Sequence, residues 1–312
     1  MIPVIEEAEL RAAVTPARAI DVIRDAFRAD GEGRTTVPPV INLGVPHGEF
    51  HVKTAHIAGV PHVAVKIASG FYGNVSNGLP TGSGLMALFD AETGLPAALL
   101  LDNGFLTDIR TGAAGAVAAE GLARYSIETV GVIGSGVQAR YQVQCLRIVR
   151  PFSRVVAWSP SRERLERYCD EMRADGVQAI AATTVEEVCA AADVLVTSTP
   201  SREPLVRAEW LRPGMHVTAV GSDSAGKQEL SGFCLIRADL VAVDRRAQCA
   251  AFGELTHAVE AGLKIEPIEL GEIVAGRRTG RTNDSQITVA DLTGVGFQDT
   301  AIASAAFCWI GS

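Results

Sequence analysis

The sequence predicts an α/β protein with two domains: a Rossmann-type, doubly wound dinucleotide-binding domain and an α+β domain built on a mixed sheet. Three observations predict this class. The chain of 312 residues is long enough for two domains and a large core. Strand and helix patterns alternate through its second half, as in doubly wound folds. A glycine-rich turn stands where the first of those strands meets the first helix.

The glycine-rich turn is a G-x-G-x-x-A fingerprint between an apolar run at 129–133 and a helical pattern with apolar residues at Val143, Leu146 and Val149. In dinucleotide-binding βαβ units the first glycine permits the tight turn and the second lets the backbone approach the pyrophosphate. The small third residue lets helix and strand pack closely, with the phosphates at the helix N-terminus. The residues expected to hold the cofactor phosphates are Gly134, Ser135, Gly136, Val137, Gln138 and Ala139. The alternative is a structural turn that binds nothing.

The first domain is expected over residues 1–124. Its first 30 residues are helical in pattern, with apolar residues at Ile20, Ile23 and Phe27. β-prone runs broken by turn residues follow, and they predict a mostly antiparallel or mixed sheet. The expected strands are 40–43, 50–55, 62–67, 84–90 and 97–102. An alanine-rich helix is expected at 107–124.

The dinucleotide-binding domain is expected over residues 125–296. Its predicted strands are 129–133, 154–158, 177–181, 194–198, 216–220 and 240–243. Helices are expected between them, including 161–174 and 184–191, and Thr184 with Glu187 predicts a capping box for the second. Further helices are expected within 254–281. The pattern at 295–310 predicts a helix, and residues 297–312 are expected to join the first domain.

The composition excludes several partners. With 28 basic and 36 acidic residues the formal net charge is −8, which argues against nucleic acid or an anionic membrane surface. No apolar run reaches membrane-spanning length, and the N-terminus lacks the pattern of a signal peptide. The six cysteines are scattered, with no Cys-x-x-Cys pair and no zinc-like histidine spacing. We therefore expect a reduced, cytoplasmic protein with no metal site.

Two cationic residues of the first domain are candidates for binding a carboxylate. Lys66 ends an apolar strand pattern, where a lysine is costly unless its ammonium has a partner. Arg110 lies one turn inside a predicted helix, where a fixed guanidinium can grip a carboxylate bidentately. The alternatives are an edge strand with Lys66 facing outward, and an Arg110 that pairs with Asp108 or Glu120.

A loop of the second domain supplies the candidate acid. Asp223 stands in a glycine-flanked loop after the strand at 216–220. In open α/β sheets ligands bind at the carboxyl ends of strands, so Asp223 is well placed to transfer a proton to a substrate beside a nicotinamide. Its alternative is a turn or a helix cap near Lys227. At the same strand ends, the residues expected to approach the cofactor are Thr199, Val220 and Gly221.

The end of the strand at 154–158 bears on the choice of cofactor. NAD-binding sites usually offer an acidic residue there to the ribose 2′-hydroxyl. This chain offers Ser159 and Arg162, which suit a 2′-phosphate. The expected cofactor is therefore NAD or NADP, with a lean toward NADP.

The chain resembles the ornithine cyclodeaminase/mu-crystallin family over nearly its full length. The matching stretches are VKIASGFYGN at 65–74, GLPTGSGLMALFDAETG at 78–94, LTDIRTGAAGAVAA at 106–119, VGVIGSGVQA at 130–139, AVGSDSAGKQEL at 219–230 and VGF at 295–297. The resemblance implies a nicotinamide-binding domain and a first domain that builds both the substrate site and a homodimer.

The resemblance also implies roles for single residues. Asp223 is the implied acid/base, while Lys66 and Arg110 are implied to hold the substrate carboxylate, with Lys66 also counted as catalytic. Thr81 and Lys227 are implied to approach the cofactor, and Arg110 is counted among the cofactor contacts too.

The substrate expectation follows from one departure. Cyclodeaminases of the family carry a basic residue where this chain has Pro39, whereas the V-K-T-A pattern at 52–55 is similar to the ectoine-utilisation branch and to reductases of small imines. Strand alternation puts Lys53 on one face and His56 on the other. If Lys53 faces the substrate, it favours a second carboxylate; otherwise it faces solvent or a dimer interface.

The predicted function is an NAD(P)-dependent reductase of a small imino acid, or an amino-acid dehydrogenase, with iminosuccinate to aspartate as the leading case. The enzymatic alternative is ornithine cyclodeaminase, which converts ornithine to proline and ammonia. The other alternative is a mu-crystallin-like protein that binds NADP and a ligand.

Overall fold

The computed structural model describes residues 2–311, which form two compact units. The first unit comprises residues 2–110 and 295–311, and the second comprises residues 111–294. The first boundary falls after Arg110, inside a helix, and not after residue 124 as the sequence suggested. The C-terminal boundary falls at residue 295, two residues before the expected position.

The first unit is built on a seven-stranded mixed sheet. Its strands are β1 (Val4–Glu6), β2 (Thr35–Thr36), β3 (Ile41–Val45), β4 (Gly48–Ile57), β5 (His62–Gly70), β6 (Gly82–Asp90) and β7 (Pro96–Leu101). They lie in the order β1-β7-β6-β5-β4-β2, with β3 also paired to β4. Only the β1–β7 pair is parallel among the described strands of this sheet. β5 is therefore an interior strand, which matters for Lys66.

The second unit holds an eight-stranded parallel sheet. Its strands are β8 (Thr129–Ile133), β9 (Arg154–Trp158), β10 (Gln178–Ala181), β11 (Val194–Thr197), β12 (His216–Ala219), β13 (Leu240–Val243), β14 (Ile268–Glu269) and β15 (Thr288–Asp291). Their order is β10-β9-β8-β11-β12-β15-β13-β14. The chain runs outward from β8 to β10 and returns to β11 on the other side, which creates the switch point of a Rossmann-type sheet. The predicted fold class is confirmed.

Helices flank both sheets. They are α1 (Glu7–Ala13), α2 (Pro16–Gly31), α3 (Phe105–Leu122), α4 (Val137–Val149), α5 (Arg162–Ala174), α6 (Val185–Ala191), α7 (Gly232–Arg237), α8 (Arg246–Phe252), α9 (Glu254–Glu260), α10 (Leu270–Val274) and α11 (Gly296–Gly311). Two short 3-10 helices span Tyr72–Asn77 and Ala208–Trp210.

The last helix packs tightly on the first sheet. A Cβ atom at Gly296 would lie 2.3 Å from the Thr54 carbonyl oxygen of β4, so only glycine lets the start of α11 approach so closely. Phe297 meets Phe27 of α2 edge to face, with ring centroids 5.3 Å apart. This packing fixes the first turn of α11, which carries Gln298 and Asp299, against the sheet.

Several details of the second unit differ from the sequence-based expectation, including strand β14 at Ile268–Glu269, where only helices were expected. Thr184 accepts a hydrogen bond from the Glu187 N–H, but the Glu187 carboxylate binds the N–H and hydroxyl of Thr183, so the capping box is not closed. Strand β15, between β12 and β13, was not predicted, because its four residues follow a long polar stretch. Within residues 2–311, no helix combines the length and the apolar character needed to cross a bilayer.

Candidate active site

Lys53 and Lys66 form a cross-strand pair inside the first sheet. They face each other directly on the neighbouring strands β4 and β5. Only 6% of Lys53 and 2% of Lys66 are exposed, whereas His56 lies on the outer face of β4. Because opposite residues of an antiparallel pair project to the same side, both ammonium groups lie on the buried face of the sheet. Neither the outward-facing Lys66 nor the solvent-facing Lys53 occurs.

Asp299 of α11 joins Lys66 and Arg110. The Lys66 Nζ atom lies 3.0 Å from Oδ1 and 2.9 Å from Oδ2 of this fully buried carboxylate. Arg110 Nε donates to Asp299 Oδ1 at 3.0 Å, and its Nη1 donates to Gln298 Oε1 at 3.1 Å. Arg110 thus pairs across the unit, and not with Asp108 or Glu120 as the alternative required.

Sequence reasoning missed Asp299 and Gln298. The available signal was a polar pair in the first turn of a helix otherwise made of small and apolar residues. Such a pair, when buried, needs partners. The sequence does not show which partners they are, because they lie about 190 to 230 positions away.

The charged groups of this cluster shift one another's pKa values. Burial, together with the neighbouring Arg110 and Lys53, lowers the pKa of Lys66 to about 7, while Asp299 acts in the opposite direction. Burial alone would raise the pKa of Asp299, but Lys66, Arg110 and Lys53 hold it below its usual value. Three cationic side chains thus lie close enough to one buried carboxylate to lower its pKa.

Asp102 lies close enough to this cluster for the charge of Lys66 to affect its pKa. Burial raises the pKa of Asp102 to about 6, and the charge of Lys66 opposes that rise. Its Oδ2 atom accepts the Leu106 N–H at 2.9 Å at the start of α3. Its buried Oδ1 atom accepts no hydrogen bond from any residue between 2 and 311.

The glycine fingerprint forms the turn between β8 and α4 in the second unit. Gly134 has φ +115°, and a Cβ there would lie 2.7 Å from the Ser198 carbonyl oxygen, so this position requires glycine. Gly136 is the N-cap of α4 and no side chain caps it; a Cβ there would meet open space. The small Ala139 is fully buried against the sheet, as helix–strand contact requires.

This turn fits a dinucleotide phosphate. Gly136 and Val137 are exposed at the helix N-terminus, and Ser135 and Gln138 are half-buried beside them. The Ser198 hydroxyl, next to Gly134, is buried and has no hydrogen-bond partner within the described chain. Helix N-termini with uncapped N–H groups favour anions. An open N-terminus and an unsatisfied hydroxyl are the features a bound pyrophosphate would use.

Asp223 is paired with Lys227. The Lys227 Nζ atom donates to Asp223 Oδ1 at 2.6 Å; the lysine is buried, whereas the aspartate side chain is 44% exposed. Both residues follow β12, and no helix begins near Lys227, so the helix-cap alternative does not apply. Thr199 and Gly221 follow β11 and β12 at the same edge of the sheet, and Val220 is buried beneath them.

The remaining predicted contacts lie at strand ends. Ser159 follows β9 directly and is half-buried. Arg162 is exposed at the start of α5 and is paired with Glu166 one turn later. Thr81 precedes β6, where its carbonyl oxygen accepts the Phe71 N–H at 2.7 Å. In the described part of the chain, no three His, Cys, Asp or Glu side chains are grouped so as to hold a metal ion.

Comparison with known sequences identifies relatives over the whole chain. The ornithine cyclodeaminase/mu-crystallin family model matches residues 3–307. An uncharacterized cyclodeaminase of Sinorhizobium fredii is 44% identical over 312 residues, covering 97% of this chain and 94% of that protein. The iminosuccinate reductase of Paracoccus denitrificans is 33% identical over 306 residues, with the same coverage.

Solved structures agree with the sequence relatives. An archaeal alanine dehydrogenase, a dimer with bound NAD, is 34% identical and superposes with a TM-score of 0.92, covering 99% of this chain and 95% of that one. A pyrroline-2-carboxylate reductase of Thermococcus litoralis, in complex with NADH and L-proline, is 28% identical with a TM-score of 0.94 and covers 99% and 97% of the two chains.

These relatives confirm the predicted enzyme class, an NAD(P)-dependent oxidoreductase acting on CH–NH2 or C=N bonds. The mixed-sheet unit, the Rossmann-type unit and the match from residue 3 to residue 307 agree with one another. The chain belongs to the ornithine cyclodeaminase/mu-crystallin family.

Proposed function

We propose that this protein reduces a small imino acid, with hydride transfer between a nicotinamide and the substrate α-carbon. The leading substrate is iminosuccinate, which takes up a hydride at the α-carbon and a proton at nitrogen to become aspartate. The observation that carries the proposal is the buried cluster of Lys53, Lys66 and Arg110 around Asp299. Lysine and arginine side chains gathered on a buried carboxylate can take an anionic ligand as a further charge-assisted hydrogen-bond partner.

Lys66 and Arg110 bind the carboxylate beside the reacting carbon. Arg110 is already oriented by Asp299 and Gln298, so little side-chain entropy is lost when it grips a ligand. Lys53 adds one cation more than a simple 2-imino acid needs. It attracts a second carboxylate and repels the ammonium of ornithine, which is why a dicarboxylic imine leads.

Asp223 holds the proton that the substrate nitrogen gains or loses. Its partner Lys227 keeps the carboxylate oriented, and its partial exposure leaves it accessible to a substrate. When bound, the nicotinamide supplies or accepts the hydride. The turn at Gly134–Ala139 holds its phosphates, and Thr81, Thr199, Val220 and Gly221 are the further cofactor contacts we propose.

The choice between NAD and NADP rests on the end of β9. Ser159 and Arg162 stand there without an acidic residue directly after the strand, which supports NADP. Glu166 pairs with Arg162, and the solved relatives hold NAD or NADH, which supports NAD. We retain NADP as the proposal, and steady-state kinetics with a strong preference for NADH would reject it.

Two alternatives remain candidates for specific reasons. The Sinorhizobium fredii relative named an uncharacterized cyclodeaminase favours cyclodeamination, for which ornithine is the substrate we consider. The family name includes mu-crystallin, which leaves open a protein that binds cofactor and ligand without turnover. The presence of Lys66, Arg110 and Asp223 together favours catalysis over binding alone.

A substrate panel distinguishes these functions. The purified protein is mixed with NADH or NADPH, ammonia and either oxaloacetate, pyruvate or 2-oxoglutarate, and the nicotinamide absorbance is followed. The proposal expects the fastest oxidation with oxaloacetate. Ornithine with NAD, assayed for released ammonia, tests cyclodeamination. Oxidation with none of the three 2-oxo acids, alongside ammonia release from ornithine, would replace the proposal by the cyclodeaminase alternative.

A further inference from the structure

We propose that Glu229 is a positioning residue for the cofactor site, because its carboxylate ties together the two loops that carry Thr199 and Gly221. This inference rests on the proposed function, which makes those two residues cofactor contacts. Glu229 itself was not among the residues expected to contact the cofactor, and it is fully buried beneath the loops.

The Glu229 carboxylate accepts two hydrogen bonds on each oxygen. Oε1 accepts the Thr199 N–H at 2.5 Å and the Thr199 hydroxyl at 2.8 Å. Oε2 accepts the Gly221 N–H at 2.8 Å and the Thr197 hydroxyl at 2.7 Å. Two of these donors are backbone groups, which can only donate. A carboxylate is the side chain that accepts all four bonds at once, so the position favours Glu over Gln.

The two loops touch each other at this point. A Cβ atom at Gly221 would lie 2.3 Å from the Thr199 carbonyl oxygen and 2.5 Å from Glu229 Oε2. Gly221 thus fills the space between the other loop and the carboxylate. The separation of the two loops, at the carboxyl ends of β11 and β12, is fixed by this contact and by the shared carboxylate.

Glu229 is itself held on both sides of its backbone. Its N–H donates to Glu254 Oε1 at 2.8 Å, and its carbonyl oxygen accepts from the N–H groups of Leu205 and Val206 at 2.8 and 3.0 Å. These hydrogen bonds fix the backbone from which the Glu229 side chain projects toward the loops. Glu229 also closes the segment that begins at Gly221 and carries Asp223, so the same residue limits the movement of the proposed acid.

The arrangement is costly if its only role is packing. Burial raises the pKa of Glu229 to about 7, although the hydrogen bonds from Thr197, Thr199 and Gly221 oppose that rise. An apolar residue would avoid the desolvation of a charge, but it would leave the N–H groups of Thr199 and Gly221 without their acceptor. Retaining an acid there is explained when the placement of the two loops matters for a ligand.

The test compares two buried acids of the second unit. Glu229→Gln keeps the shape but replaces one acceptor by a donor facing an N–H group. Asp291→Asn is the matched control: Asp291 is similarly buried, but its carboxylate accepts the Leu255 N–H at 2.9 Å in α9. NADH and NADPH binding is measured by calorimetry on the full chain, alongside thermal unfolding and steady-state kinetics.

We expect Glu229→Gln to raise the Kd of the preferred nucleotide about tenfold, or about 1.4 kcal/mol, and Asp291→Asn to raise it less than about twofold at a similar loss of Tm. The KM for the nucleotide should rise more than the KM for the imine. Wild-type affinity in Glu229→Gln, or an equal loss in both variants, would overturn the inference and leave the proposed function intact. A parent protein that binds neither nucleotide would overturn both.

A second variant keeps the test decisive if Glu229→Gln does not fold. Thr197→Val is nearly isosteric and removes only the hydroxyl that donates to Oε2. Because Thr197 lies within β11 and is fully buried, it reaches the cofactor only through Glu229. We expect about a threefold rise in nucleotide Kd, or about 0.6 kcal/mol. An unchanged Kd would overturn the inference.

Discussion

At the scale of single residues, the chain buries several charged side chains close together, which is unfavourable for folding. Lys53, Lys66 and Arg110 surround the carboxylate of Asp299 on the buried face of one sheet. Placing like charges opposite each other in a sheet is destabilising, and burying them adds a desolvation cost. Under the proposed function, an anionic substrate becomes a further partner of these cations, which gives a reason for keeping them together.

The ionisation of Lys66 gives a pH-dependent prediction. Its pKa is lowered to about 7, chiefly by burial, so the ammonium is present below this pH and lost above it. Binding of a carboxylate should therefore weaken as the pH rises through about 7. Succinate, a dicarboxylate that cannot react, serves as the inhibitor, because the ammonia and imine equilibria then do not interfere. We expect its inhibition constant to rise about tenfold per pH unit above the pKa, as loss of one required proton dictates.

The control for this measurement is Lys66→Arg. A guanidinium stays charged between pH 6 and 9. The inhibition constant of succinate for Lys66→Arg should therefore change by less than about twofold over this range. An inhibition constant that is independent of pH in the parent protein as well would exclude Lys66 as the titrating carboxylate-binding group.

The proposed acid gives a second prediction at this scale. Asp223→Asn should leave folding and nucleotide binding unchanged but lower kcat by about 10²-fold or more, as loss of a general acid/base does. Stopped-flow and steady-state rates with oxaloacetate and ammonia measure it. Near-normal turnover would reduce Asp223 to a partner of Lys227 in a structural ion pair.

The sequence indicated one member of each buried group but not its partner. Lys66 was noticed because a cation in an apolar strand pattern needs a partner, and Arg110 because it lies one turn inside a predicted helix. Asp299 and Glu229 were not, because a carboxylate that accepts bonds from residues distant in sequence has no local signature. Their partners are set by how strands and helices pack, as the Lys66–Asp299 pair across the sheet illustrates.

At the scale of elements, the role of the turn from β8 to α4 in nucleotide binding can be tested separately from its role in folding. Gly136 has φ −84° and open space where a Cβ would stand, so alanine fits the fold there. Gly136→Ala should keep the parent Tm. It should weaken nucleotide binding by about tenfold or more, because the methyl group occupies the space where the backbone must approach the pyrophosphate.

Gly44→Ala is the matched control for the turn. Gly44 also has open space where a Cβ would stand, but it lies in β3 of the first unit. The substitution should change neither Tm nor nucleotide affinity. If Gly136→Ala binds nucleotide like the parent, the turn is structural and the phosphates bind elsewhere.

The accuracy of the element prediction followed the strength of each pattern. Apolar runs such as 129–133 and 154–158 gave strands with correct bounds, because every residue of a buried parallel strand is selected for packing. Strand β15 was missed because Thr288–Asp291 is short and half polar. The helix predicted at 107–124 begins instead at Phe105, where Asp102 accepts the Leu106 N–H.

At the scale of the whole molecule, self-association is the main prediction. The first unit exposes apolar side chains on its sheet, with Ile41 64%, Leu43 58% and Ile67 41% exposed. Exposed apolar sheet surface is a liability that association removes. Light scattering at micromolar concentration should give twice the chain mass of 32.8 kDa. A monomer under these conditions would contradict the proposed homodimer.

If the buried cations select a dicarboxylic imine, the variant Lys53→Met should lose the preference for that substrate. Methionine keeps the length and burial of the side chain but removes its charge. His56→Met on the outer face of the same strand is the control, with no change expected. Rates of NADH or NADPH oxidation are compared for oxaloacetate plus ammonia and for pyruvate plus ammonia. We predict that Lys53→Met lowers kcat/KM with oxaloacetate by about 30-fold, about 2 kcal/mol for a lost charge-assisted contact, and leaves kcat/KM with pyruvate unchanged. Equal rates for both substrates in the parent enzyme, or an equal loss for both in the variant, would contradict it.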